Sequence, residues 1–185
     1  IEACLVGSEM CIRDRNCLGM YIPWHRRLLT VEDTAELQVY HDHWLRMETR
    51  RERPDGTPEV DMNDCLKSSL RMRPDRIIVG EVRGPEAATL LTAMNTGHDG
   101  SFGSLHANTA QETVTRMINP PMSVPPIMLT GLDLIIIQAR LHVNGKTARK
   151  ITEVAEIAGM EGSKPRLNTI WTVSYTHLRA HETRF

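Results

Sequence analysis

The sequence has few aromatic residues, few cysteines and no long apolar run. Phe, Trp and Tyr make up 4% of its 185 residues, so the core must be packed mainly by aliphatic side chains and methionine. No apolar run approaches the ~18 residues of a membrane-spanning helix, because Asp133 interrupts the strongest candidate. The formal net charge of −1 lacks the basic excess that drives nucleic-acid binding. We predict a cytoplasmic domain with one core, no membrane span and no nucleic-acid partner.

The four cysteines do not form a recognisable metal or disulfide pattern. Cys4 and Cys11 lie near the start of the chain, and Cys17 and Cys65 stand alone. Because no C-x-x-C pair occurs, the sequence predicts neither a zinc site nor a disulfide framework.

One segment combines a buried strand with a carboxylate at its end. Ile77, Ile78 and Val79 are consecutive β-branched apolar residues, which is typical of a short strand buried on both faces of a parallel sheet. Gly80 and Glu81 follow at the edge where such sheets bind ligands. Glu81 is therefore a candidate base in a nucleotide-hydrolysing enzyme. The alternative is a structural glutamate that caps the next helix.

Two further segments end in polar side chains. Residues 28–37 read as a short apolar strand that runs into acidic residues. Residues 97–109 are rich in glycine and small hydroxyl side chains and contain His98 and His106. Because parallel strands end at the same edge of a sheet, the three segments predict one converging polar rim.

In this order the three segments closely resemble the motifs of the secretion ATPase superfamily, which includes type II and type IV secretion motors, pilus motors and archaeal relatives. The matching motifs are the Asp box (31–37), a Walker B motif with glutamate in place of aspartate (77–83) and the His box (97–107). The resemblance covers residues 16–171, and residues 120–162 look most like the archaeal pilus and archaellum branch. It implies a RecA-like α/β fold with a mostly parallel sheet, helices on both faces and a C-terminal antiparallel hairpin.

The resemblance also implies roles for the acidic residues. Glu81 resembles the catalytic glutamate, which activates water and contributes to magnesium binding through a bridging water. Glu32, Asp33 and Glu36 form the acidic rim of the Asp box, where outer-shell magnesium binding or water positioning would suit them. The alternative for each of these three is a helix cap or a surface charge. The implied cofactors are ATP and Mg²⁺.

The basic residues and histidines receive roles in the same way. His106 is predicted to donate to a γ-phosphate oxygen, and the alternative is a histidine that ties adjacent loops together. His98 is a weaker candidate, because it follows a helix-ending glycine and alternatively caps that helix. Arg83 is predicted to pair with the acidic rim or to sense phosphate. By resemblance, Arg46 and Arg50 reach a neighbouring subunit's nucleotide in a homohexamer.

One motif of the family does not occur: the sequence has no G-x-x-x-x-G-K-[ST] pattern. We therefore expect the chain to be the C-terminal part of a motor domain. Its parent would hydrolyse ATP for pilin assembly or secretion, at the cytoplasmic membrane face and against a membrane platform protein. The alternative is a non-enzymatic oligomerising or regulatory relative. We favour the motor, because a degenerate relative need not keep the acidic, arginine and histidine sets together.

The two ends of the chain resemble translated sequencing-adapter read-through. We assign residues 1–15 and 172–185 to that class and residues 16–171 to the domain, and the alternative for each end is a short genuine element. Residues up to about Arg15 and from about Ser174 are expected to pack little, since they carry no amphipathic stripe.

Local patterns predict most of the remaining elements. A strand is expected over 28–32, an exposed strand over 45–50 and a turn over 54–56. Helices are expected over 62–72 with Asp61 as N-cap, after Pro85, and from a capping box at 109–112. The last prediction is a hairpin of strands 134–143 and 146–157 around Asn144-Gly145.

Overall fold

The computed structural model describes residues 3–6, 12–143 and 146–173. Over these residues the strands are β1 (Ala3–Val6), β2 (Leu28–Glu32), β3 (Trp44–Glu48), β4 (Arg76–Val79), β5 (Phe102–Leu105), β6 (Leu134–Val143), β7 (Lys146–Glu161) and β8 (Lys164–Thr172). The α-helices described are α1 (Ile12–Met20), α2 (Met62–Leu70), α3 (Glu86–Met94) and α4 (Ala110–Ile118), and a 3-10 helix spans Pro126–Gly131. None of these helices is long and apolar enough to cross a membrane.

The described strands form one sheet in the order β3-β2-β4-β5-β1-β6-β7-β8. Strands β1 to β6 are parallel to their neighbours, and β6, β7 and β8 are antiparallel. This confirms the predicted α/β class. The hairpin of β6 and β7 is also confirmed, although its predicted turn, Asn144-Gly145, lies outside the described residues. The patterns missed β8 and ended β7 four residues early, because this antiparallel extension is largely exposed and has little apolar alternation.

Two apolar clusters cover the two faces of the parallel sheet. Ile77 and Val79 belong to the larger cluster, which includes the buried faces of α2, α3 and α4, whereas Ile78 belongs to the smaller one beside Phe102. The alternation places β4 between two packed faces, as its run of β-branched residues predicts. Ile12 of α1 packs against the smaller cluster.

The helix ends largely follow their predicted caps. The Asp61 side chain accepts a hydrogen bond from the Asp64 amide, and the Thr109 side chain accepts one from the Glu112 amide. Helix α2 ends at Leu70, two residues before the predicted end. The capping box is only half formed, because the Glu112 carboxylate accepts from the Asn108 amide rather than from Thr109.

The expectation that the first fifteen residues pack little is wrong for those that the structure describes. Strand β1 pairs with β5 on one side and β6 on the other, and Arg15 is 6% exposed. The physical reason is that an interior strand pairs through backbone groups, which any sequence supplies. The assigned origin of these residues stays a prediction, and residues 174–185 lie outside the described part of the chain.

Candidate functional site

The candidate site lies at the carboxyl edge of three adjacent strands. Glu32 is the last residue of β2, Glu81 follows β4 by two residues, and His106 follows β5 directly. Because β2, β4 and β5 are neighbours in the sheet, their ends bring the three predicted motifs to one rim. The converging polar rim expected from the sequence is therefore present.

Glu81 lies at the centre of a triad of polar side chains, with His106 on one side and Arg83 on the other. Its Oε1 lies 2.9 Å from His106 Nε2, and its Oε2 accepts a hydrogen bond from the Arg83 guanidinium. The hydrogen bond and the charge of Glu81 raise the pKa of Arg83 above its ordinary value, so Arg83 stays a cation. The Glu81 side chain is 21% exposed, while those of Arg83 and His106 are more than half exposed. The triad is thus open to a ligand.

Glu32 differs from Glu81 in its surroundings, although the resemblance predicts a role for both at the rim. The residue is 2% exposed, and its Oε1 accepts hydrogen bonds from the amides of Glu36 (3.2 Å) and Leu37 (3.0 Å). Its Oε2 is buried and has no hydrogen-bond partner among the described residues. Glu32 therefore anchors the acidic loop from inside, and it is neither an exposed rim carboxylate nor the helix cap or surface charge given as its alternative.

The other two acidic residues face outward and are held by neighbouring side chains. Asp33 Oδ1 accepts a hydrogen bond from the Thr49 hydroxyl at 3.2 Å, and its charge also contributes to raising the pKa of Arg83. Glu36 lies 3.7 Å from the guanidinium of Arg15 and is half exposed. Asp33 is thus close enough to influence the triad, whereas Glu36 faces α1.

Arg46 and Arg50 make contacts within their own chain. The Arg46 guanidinium lies 4.5 Å from the centre of the Trp44 ring and donates to the Leu37 carbonyl. Arg50 donates to the Pro58 carbonyl at 3.1 Å. Both side chains brace loops here, and their predicted action on a neighbouring subunit stays a prediction.

His98 is not brought to the site. It precedes β5, at the amino edge of the sheet, whereas His106 follows β5 at the carboxyl edge. Its Nδ1 lies 2.8 Å from the Pro74 carbonyl oxygen, and its amide donates to the Ala93 carbonyl at 3.4 Å. The amide contact closes the end of α3, as the alternative predicts, whereas the ring contact is to the loop before β4.

Two residues of the site were missed by the sequence reasoning. Arg15 donates to the Gly80 carbonyl, next to Glu81, but it lies in the segment excluded from the domain. Glu86 is 6% exposed and accepts from the amides of Arg83 (2.6 Å) and Gly84 (2.7 Å). A glutamate in the first helical turn after a proline was a signal for such an anchor.

The residues present suit a magnesium ion held indirectly. No group of three or more His, Cys, Asp or Glu among the described residues could enclose a metal. Mg²⁺ usually keeps several waters and takes one or two carboxylates together with substrate phosphates. Glu81 and Asp33, both at the open rim, fit that mode, whereas Glu32 is buried.

Comparisons with known proteins agree with this geometry. Residues 15–167 match the type II/IV secretion system protein family. An uncharacterised protein of the archaeon Methanocaldococcus jannaschii is 38% identical over 142 residues, covering 77% of this chain and 52% of that protein. The conjugal transfer protein TrbB of Rhizobium radiobacter is 38% identical over 138 residues, covering 72% of this chain and 39% of that protein.

Solved structures show the same fold. The VirB11 ATPase of the Brucella suis type IV secretion system, in complex with sulphate, matches with a TM-score of 0.67 and 26% identity, over 84% of this chain and 49% of that one. The pilus retraction motor PilT with bound ADP matches with a TM-score of 0.56 and 25% identity, over 98% of this chain and 50% of that one.

The chain spans about half the length, or less, of these curated relatives. The family match nevertheless covers most of this chain, from residue 15 to residue 167, and includes every strand end that forms the rim. The chain therefore belongs to the type II/IV secretion ATPase superfamily.

Proposed function

We propose that residues 16–171 are the C-terminal part of a RecA-like motor domain that hydrolyses ATP. The motor is a homohexamer at the inner face of the cytoplasmic membrane, where it drives pilin assembly or protein secretion against a membrane platform protein. The observation that carries the proposal is the triad of Glu81, Arg83 and His106 at the carboxyl edge of the sheet.

The contacts of Glu81 suggest how the triad would act. Arg83 and His106 occupy both oxygens of the Glu81 carboxylate, and both are donors that a γ-phosphate also attracts. When ATP occupies the rim, its phosphate oxygens compete for these donors. Glu81 is then released to orient and deprotonate the attacking water, and Arg83 and His106 balance the charge that develops on the transferred phosphoryl group.

Magnesium would supply charge neutralisation on the phosphates. Glu81 and Asp33 would hold the ion through water, and Glu32 would keep the acidic loop in place through the amides of Glu36 and Leu37. We propose no nucleic-acid partner, because the formal net charge of −1 lacks the basic excess that such binding requires.

The test is the replacement of Glu81 by Gln in the full-length protein that carries this chain. Glutamine keeps the shape and one of the two acceptor oxygens but cannot take a proton, so ATP should bind while steady-state turnover falls about a hundredfold or more. Asp75→Asn is the matched control, since Asp75 is also a partly exposed carboxylate next to an arginine but lies at the other edge of the sheet. Turnover by Glu81→Gln at the wild-type rate would move the base to the Asp box. If the wild type neither binds nor hydrolyses ATP, the non-enzymatic alternative is correct.

A further inference from the structure

Glu86 is a buried carboxylate that makes its hydrogen bonds to the loop carrying the triad. One oxygen, Oε1, accepts from the amides of both Arg83 (2.6 Å) and Gly84 (2.7 Å). The residue lies in the first turn of α3, whose N-cap, Pro85, provides no side-chain hydrogen bond. Because Arg83 and Gly84 precede the helix, Glu86 holds the loop that leads into α3 rather than capping the helix itself.

The absence of a side chain on Gly84 leaves space for the Glu86 carboxylate. A Cβ atom on Gly84 would lie 3.0 Å from Glu86 Oε2, which is tighter than ordinary van der Waals contact. Burying a carboxylate is costly unless hydrogen bonds and nearby positive charge offset the lost hydration. Two backbone amides, the helix N-terminus and the field of Arg83 provide that compensation here.

The loop between β4 and α3 is fixed at successive points, and Glu86 supplies the last of them. The Gly80 amide donates to the Val31 carbonyl and the Val82 amide to the Ser104 carbonyl, both at 2.8 Å. These two bonds belong to the sheet. Beyond Val82, the amides of residues 83 and 84 are held by the Glu86 side chain.

We propose that Glu86 is a positioning residue that fixes the backbone of Arg83, so that the Arg83 guanidinium meets the Glu81 carboxylate. Glu86 acts through Arg83 and has no direct contact with a reacting group. Its effect on catalysis rests on the proposed ATPase function, whereas its effect on the loop does not.

The experiment uses NMR on the 185-residue chain with three variants of Glu86. Glu86→Gln keeps an acceptor oxygen, Glu86→Asp keeps the charge but withdraws it from the amides, and Glu86→Ala removes both. Glu112→Ala is the matched control, because Glu112 also lies in the first turn of a helix and accepts a backbone amide, that of Asn108 at 2.9 Å. The readouts are hydrogen exchange of the Arg83 and Gly84 amides and the ¹⁵N shift of His106 Nε2, which reports on its contact with Glu81.

The Asp and Ala variants should lower protection of these two amides at least about tenfold relative to amides of the sheet, and should move the His106 signal. In Glu86→Gln and Glu112→Ala, the protection of the two amides and the His106 signal should stay close to their wild-type values. Unchanged local protection in Glu86→Asp would overturn the proposal. A uniform loss of protection over all amides in the Asp variant would also overturn it, since Glu86 would then only stabilise the fold.

Turnover of the full-length protein separates this proposal from the ATPase function. With both correct, Glu86→Asp lowers kcat about tenfold and leaves the affinity for Mg-ATP unchanged. If the NMR changes occur in a full-length protein without ATPase activity, the positioning role stands and the proposed function fails. If the wild type is active but Glu86→Asp lowers affinity with kcat unchanged, Glu86 serves binding and the proposal is wrong.

Discussion

The two edges of the parallel sheet carry the same kinds of side chain but use them differently. At the carboxyl edge, Glu81, Arg83 and His106 pair side chain to side chain and remain accessible to solvent. At the amino edge, His98 binds the Pro74 carbonyl, and Asp75 binds the Arg27 amide in addition to the Arg26 guanidinium. Polar groups that are committed to the backbone hold the fold, whereas groups that pair with movable side chains can exchange that partner for a ligand. Residue type and proximity to a strand end do not distinguish the two uses.

The largest expected difference between the edges is in turnover of the full-length protein. His106→Ala should lower kcat about a hundredfold, because the phosphoryl transition state loses a donor. His98→Ala should change kcat less than about twofold, since its contacts lie at the opposite edge. Steady-state ATPase assays with matched fractions of folded protein check this. Similar losses in both variants would break the comparison.

In the free energy of unfolding, His98→Ala should have the larger effect and His106→Ala the smaller one, the reverse of their order in turnover. His98→Ala removes a hydrogen bond to the Pro74 carbonyl and should cost about 1–2 kcal/mol. His106→Ala removes an exposed pair with Glu81 and should cost less than about 1 kcal/mol. Urea unfolding of the two variants of this chain measures this difference. A larger loss of stability in His106→Ala than in His98→Ala would contradict the predicted order.

A smaller effect is expected from the pH dependence of Asp75. The amide of Arg27 donates to its carboxylate at 2.7 Å, and this hydrogen bond, assisted by Arg26, lowers the pKa of Asp75 below its usual value. A carboxylate whose pKa is lower in the folded state stabilises the fold above its unfolded pKa and loses that contribution as the pH falls through the folded pKa. We expect Asp75→Asn to cost about 0.5 kcal/mol at pH 7, because the pair is solvent-screened.

Unfolding of the wild type and of Asp75→Asn from pH 7 down to pH 2 tests this sign. The difference in free energy of unfolding between the wild type and Asp75→Asn should narrow below about pH 4, where an unfolded aspartate begins to bind protons. A gap that widens with acid would mean that the hydrogen bond does not favour the ionised form.

The smallest effect concerns the 185-residue chain by itself. Its sequence lacks the G-x-x-x-x-G-K-[ST] phosphate loop, and the rim carries Asp33 and Glu81 beside Arg83 and His106. A triphosphate adds more negative charge, which backbone amides and a lysine normally offset. Calorimetry with Mg-ATP should show no tight site, and phosphate release should stay at background. Stoichiometric binding would mean that another segment replaces the phosphate loop.

The parallel half of the fold was predictable because its signals are strong. The β-branched run of β4 and the caps Asp61 and Thr109 each specify local structure, and the structure contains them. Two features were missed for physical reasons. Strand β1 is a short apolar run that was set aside with the segment assigned to read-through, and β8 pairs at an exposed edge that needs little apolar patterning.

The candidate site was predictable only at the level of motifs. The resemblance predicted that Glu81 and His106 lie on one rim, and the contact between their side chains agrees with that prediction. It could not separate the buried Glu32 from the exposed Asp33, because the two are consecutive at the end of β2 and differ in where their side chains turn. Spacing also failed for His98, since residues 99–105, a loop followed by β5, carry the chain from one edge of the sheet to the other before His106.

The central claim is that Glu81 performs the chemical step of ATP hydrolysis at the carboxyl edge. Its most direct test is a single-turnover measurement on the full-length protein, with Mg-ATP bound beforehand to the wild type, to Glu81→Gln and to Asp75→Asn. We predict that Glu81→Gln binds ATP with wild-type affinity and cleaves it at least about a hundredfold more slowly, while Asp75→Asn cleaves it at the wild-type rate. Cleavage of bound ATP by Glu81→Gln at the wild-type rate would contradict the claim.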